Sequence, residues 1–129
     1  MSDKNQIKLT KGQLTSRKIL KAAQNLFYKH GYQNTTIADI AKKANVAVAT
    51  FYLYYNDKYS IYETVLTNYQ KQIRDFIHEE IKNSTSRKER EKLGLKAWLK
   101  FVAKNHHVYR VIWESLFVEP ELFRNYYIK

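Results

Sequence analysis

The chain has 129 residues, 44% of them hydrophobic and 15% aromatic, which is enough to fold one ordinary domain around a core and excludes a disordered chain. Its formal net charge of +11 favours polyanionic partners. It contains no cysteine, which excludes disulfides, cysteine-based zinc sites and thiol catalysis.

Only three glycines and one proline interrupt the chain. Long stretches of 3.6-residue apolar period between them predict an all-α fold. The charge is uneven. Residues 1–60 hold ten Lys+Arg against three Asp, residues 61–129 hold thirteen against nine acidic residues, and no glutamate precedes Glu63. The basic footprint is therefore N-terminal.

In chain order, residues 1 to about 13 read as a polar, basic arm without the apolar segment of a signal peptide. A first helix is predicted from Thr15 to His30, with Ile19, Ala22, Ala23, Leu26 and Phe27 on one stripe and Gly31 as its stop. Thr36-Ile-Ala-Asp39 has capping-box spacing and opens a second helix that buries Ile37, Ile40 and Ala41. Asn45 tolerates positive φ and makes the turn, after which Val46 packs inward. A third helix covers about Ala47 to Tyr55. Asn56-Asp57 cap a long fourth helix that ends near Asn83. The segment NSTSRKER reads as a linker into a fifth helix carrying Leu93, Ala97, Trp98, Phe101 and Val102 to about Asn105. A sixth spans about His107 to Phe117, and Pro120 fits the first turn of a seventh. The division expected is 1–56 and 57–129, and the ending at Lys129 reads as a truncation. No apolar run reaches membrane-spanning length, so a cytoplasmic protein is expected.

The second and third helices have the outline of a helix-turn-helix, whose second helix enters the major groove of DNA. On the third helix Phe51 and Tyr55 fall on one side with Ala47 and Val48, able to pack on the first two helices. Ala49, Thr50, Tyr52 and Leu53 fall on the other, an outward face of Leu and Tyr rather than charges. Small residues there admit a close backbone approach, and Thr50 can meet a base edge or a thymine methyl. Val48, at the helix start, joins Ala49, Thr50, Tyr52 and Leu53 among the predicted DNA contacts. Tyr52 and Tyr54 can reach phosphates, as can Lys58, Arg17, Lys11 and Lys18 by charge. Thr35 or Thr36 and the amides opening the second helix make another phosphate seat. Aromatic core is the alternative for Tyr54, Tyr59 and Tyr62. No Arg, Lys, Asn or Gln lies between Val46 and Tyr55. Readout is therefore expected through thymine methyls and DNA shape, at an A·T-leaning site.

Residues 15–66 resemble the DNA-binding domain of the TetR family of transcriptional regulators. The resemblance is carried by Ile19, Ala22, Ala23, Leu26, Phe27, Gly31, Tyr32, Thr35, Thr36, Ile40, Ala41, Ala44, Val46, Phe51, Tyr52, Tyr55, Lys58 and Leu66. Asn45 stands where the family usually has glycine and Ala47 where it often has serine. The segment from Val118 to Tyr127 is also similar to a stretch in some members. The resemblance implies a three-helix DNA-binding domain followed by a helical regulatory domain, here apparently truncated. It further implies a homodimer on a palindromic operator in double-stranded DNA, and a small-molecule effector that releases it. Trp98, Phe101, Tyr109, Trp113 and Phe117 could then line the effector pocket, the alternative being ordinary helical core; His106 is further aromatic material for it.

Two other classes compete with this reading. An interaction or effector-sensing fragment would keep the fold without reading DNA, and a membrane-surface protein would need a cleaner lysine-versus-apolar division. No catalytic, metal or cofactor site is expected. His106 and His107 are adjacent rather than i, i+4, Glu79 and Glu80 are neighbours on a solvated face, and no phosphate loop or nucleophile motif occurs.

Overall fold

The computed structural model describes residues 9–118, which form six α-helices and no strand. They are α1 (Lys11–His30), α2 (Ile37–Ala44), α3 (Val48–Tyr54), α4 (Lys58–Ile81), α5 (Arg87–Lys104) and α6 (His106–Val118). The predicted helix at Pro120 lies outside the described residues.

α1 begins four residues earlier than its apolar stripe requires. Thr10 caps it: its hydroxyl accepts from the Gln13 amide at 3.1 Å, while the Gln13 side chain accepts from the Thr10 amide at 2.9 Å. This reciprocal box absorbs residues 11–13 of the expected arm into the helix. Gly31 ends α1 with its amide donated to the Phe27 carbonyl. Its φ of 81° is positive, as expected of the stop, but ψ of 167° places it outside the left-handed helical region in backbone that only glycine adopts easily.

α2 opens on the predicted box, with Thr36 Oγ1 and the Asp39 carboxylate each accepting the other's amide at 3.0 Å. Asn45 closes it in the left-handed conformation, φ 60° and ψ 46°. Asp57 caps α4, its carboxylate accepting from the Ser60 amide at 2.7 Å. Ser86 caps α5, so RKER belongs to the helix and the linker is only the few residues before it. Each such cap contributes about 1 kcal/mol.

The helices share one core. Ile19, Ala23 and Phe27 of α1, Ile40 of α2 and Phe51 of α3 are fully buried with Ile61, Tyr62 and Val65 of α4. α5 packs along α4 through Phe101 on Phe76, rings 5.5 Å apart. α6 turns back to touch α1 and α4 with Val108, Val111 and Ile112. The long α4 thus joins the N-terminal three helices to the rest. Tyr69, buried in this joint, makes no hydrogen bond through its hydroxyl among the described residues, and burial raises its pKa to about 12.

Candidate nucleic-acid interface

α3 is positioned by two rings. Phe51 is 0% exposed, wedged in the core, and Tyr55 follows one turn later with its hydroxyl 3.2 Å from Ser16 Oγ of α1. The opposite face is bare: Leu53 is 77% exposed, Tyr52 52% and Val48 44%. Ala49 is exposed and Thr50 half-buried between the two sides. Val48 therefore does not pack inward with Phe51, as helical phase alone suggested; one residue past the Ala47 N-cap it stands on the open side. An exposed apolar and aromatic surface on a seven-residue helix is suited to close contact with a partner.

Tyr54 is partly exposed rather than core, and its hydroxyl lies against the first turn of α1. A methyl group at Gly12 would meet that hydroxyl at 3.4 Å, an ordinary contact. Of the other tyrosines weighed as core, Tyr62 is fully buried and Tyr59 stands partly exposed. Lys11, Arg17 and Lys18 are exposed along α1, and Lys42 and Lys43 end α2. Those last two lysines were not singled out by the sequence. Their place in the final turn of α2, just before the helix-turn-helix turn, is the signal that could have found them.

Two expected phosphate contacts are already engaged. Thr35 is 1% exposed and donates its hydroxyl to the Gly31 carbonyl at 2.8 Å and the Leu26 carbonyl at 3.3 Å, so it secures the α1–α2 loop. This corrects the expectation for Thr35 and leaves Thr36 as the exposed member of the pair. Lys58 donates to the Tyr32 carbonyl at 2.9 Å, and its ammonium lies 4.2 Å from the centre of the Tyr32 ring. Its charge is held at the base of the interface with donors to spare. The Asp39 carboxylate, held below the usual carboxylate range by its bonds to Thr36, occupies part of the α2 N-terminus where a phosphate was expected.

The aromatic residues assigned to an effector pocket are not brought together as one. Phe101 is 6% exposed and part of the core. Tyr109 and Trp113 stack with centroids 6.2 Å apart, and Trp98 meets Tyr109 edge-on at 6.4 Å. Yet Tyr109, Trp113 and Phe117 stand on the outside of α6, Phe117 at 74%. Trp98 lines a cavity of about 460 Å³ between α4 and α5, whose other walls include Ile73, Ile77, Ile81, Arg74 and His78. Periodicity gave these residues a face and not its neighbour.

Residues 19–65, which hold all of α2 and α3, match the family described as bacterial regulatory proteins, tetR family. Over these residues the chain is similar to the TetR family. The chain is 46% identical over 46 residues to the biofilm operon icaADBC negative transcriptional regulator IcaR of Staphylococcus aureus, spanning 36% of this chain and 25% of that protein. It is 25% identical over 105 residues to the transcriptional activator FasR of Mycolicibacterium smegmatis, 81% of this chain and 48% of the relative. Among solved structures, the fatty acid degradation regulator FadR from Bacillus halodurans superposes with a TM-score of 0.76 at 24% identity, over 93% of this chain and 62% of that one. That likeness supports the fold. The chain spans less than half the length of these curated relatives. Among the described residues no helix is long and apolar enough to cross a membrane.

Proposed function

We propose that this chain is the DNA-reading and adjoining helical part of a sequence-specific transcriptional regulator. The bare face of α3 carries this reading: Val48, Tyr52 and Leu53 are exposed on a helix whose other side is anchored by a buried Phe51. In this proposal α3 lies in the major groove with Val48, Ala49, Thr50, Tyr52 and Leu53 against base edges. Thr36, Tyr54, Arg17 and Lys58 meet phosphates on either side. Apolar contacts of this kind suit thymine methyls and a fitted groove, hence an A·T-leaning palindrome read by two copies.

Repression is the mode that occupancy of an operator most simply produces, with release by a small molecule held among α4–α6. The α4–α5 cavity supports this part: a lining of three isoleucines and Trp98 with Arg74 and His78 suits an amphiphile with an anionic end. The test is to retain sheared genomic DNA on the purified chain at moderate salt and sequence it. A shared palindrome supports the reading. Retention without a common site reduces it to charge-driven binding.

A further inference from the structure

Where α1 meets the corner between α5 and α6 lies a cleft of about 530 Å³ that the proposed DNA interface does not use. Its walls carry Lys21, Asn25 and Tyr28 from α1, and Lys104, His106 and His107 from the corner. No carboxylate lines it. Arg110 adds a further cation behind Tyr28, its guanidinium carbon 5.4 Å from the ring centre.

The neutral groups point the same way. Asn25 also lines the cleft, and its Oδ1 is buried without a hydrogen-bond partner among the described residues. His107 is held edge-on between Tyr28 and Tyr69, at 6.2 and 6.1 Å. His106 and His107 are the first residues of α6, at the positive end of that helix. The lining therefore offers donors and positive charge in a concave space of metabolite size.

We propose that this cleft binds a small, multiply charged oxyanion, a phosphorylated or polycarboxylated metabolite. The proposal is independent of how α3 reads DNA.

Isothermal titration of the full chain with glycerol phosphate and with citrate tests it, and the preferred probe identifies the source of the anion. At least one probe is expected to bind saturably and to lose tenfold or more in affinity in Lys21→Ala and in Lys104→Ala. Both lysines are exposed, so the variants keep their circular dichroism, and Lys104→Ala keeps its affinity for DNA. In parallel the imidazole resonances of His106 and His107 shift on binding while those of His30 and His78 stay. Three outcomes overturn the proposal: no saturable binding of either probe, binding unmoved by both substitutions, or equal shifts at all four histidines. A fall in DNA affinity in Lys104→Ala without binding of either probe also overturns it, and assigns the cleft to the DNA backbone.

Discussion

The carboxylate of Glu114, on α6, accepts a hydrogen bond from the backbone amide of Tyr32 at 2.9 Å, across 82 positions of sequence. Tyr32 sits in the loop between α1 and α2. Its carbonyl receives Lys58 from α4, and its ring lies 5.8 Å from that of Phe27 and 4.5 Å from that of Tyr62. One loop residue is thus gripped by α1, α4 and α6, and burial raises the pKa of its phenol.

Replacing Glu114 with Ala strands the Tyr32 amide and is expected to cost about 1–3 kcal/mol, read as a lower urea midpoint with unchanged slope. Gly31→Ala is expected to cost more than about 1 kcal/mol for two reasons. The φ of 81° disfavours any side chain, and a Cβ there would lie 2.8 Å from Glu114 Oε2. In the Glu114→Ala background only the first reason remains, so the double mutant should be less destabilised than the sum. Strict additivity would show that the two residues do not compete for the same space.

Leu53→Ala and Thr50→Glu separate folding from reading. Leu53 makes little contact within the chain, so its loss should change stability by less than about 0.5 kcal/mol. Affinity for the selected operator should nevertheless fall severalfold in Leu53→Ala and vanish in Thr50→Glu. Native operator affinity in both variants, measured by fluorescence anisotropy, removes α3 from the interface.

Lys58 and Arg17 are both phosphate candidates but differ in what else they do. Arg17→Ala should leave the melting temperature unchanged and flatten the log K against log salt slope by about 0.9, the loss of one phosphate contact. Lys58→Met should lower the melting temperature as well, because the Tyr32 carbonyl and ring lose their cation.

Acid should loosen the N-terminal helices through their caps. The carboxyls of Asp39 and Asp57 are held below the ordinary carboxylate range by the amides of Thr36 and Ser60 respectively. A depressed folded-state pKa means stability present above the unfolded value near 4 and lost as pH falls through the folded value. Both groups are exposed, so the effect is modest. Asp57→Asn, which keeps a capping oxygen, should show a shallower acid limb in thermal melts at pH 2 to 5.

What could be read before the structure follows the range of the interactions. Thr36, Asp39 and Asn45 declare the α2–α3 unit because a capping box and a left-handed turn are set by neighbours a few residues apart. The same box at Thr10 and Gln13 lies before the first apolar residue of the α1 stripe, so periodicity alone started the helix too late. Glu114 carries no local mark of its bond to Tyr32. Phe101 and Phe117 have equally good helical phase, yet one is buried on α4 and the other stands open, since phase cannot name the neighbour. Thr35 and Lys58 were identified as polar residues at the right place, but the loop around Tyr32 recruits them from within.

α3 has seven residues, no side-chain cap at Ala47, and no charged residue to complement its dipole. A helix that short does not persist by itself in water. It exists because Phe51 is seated in the core and Tyr55 is tethered to Ser16. The amides of α3 should consequently exchange with solvent sooner than those of α1 or α4. Binding at its outer face would then register first as slower exchange in these nearly two turns. Trimming the ring at position 51 would let the helix dissolve without altering any atom of its outer face.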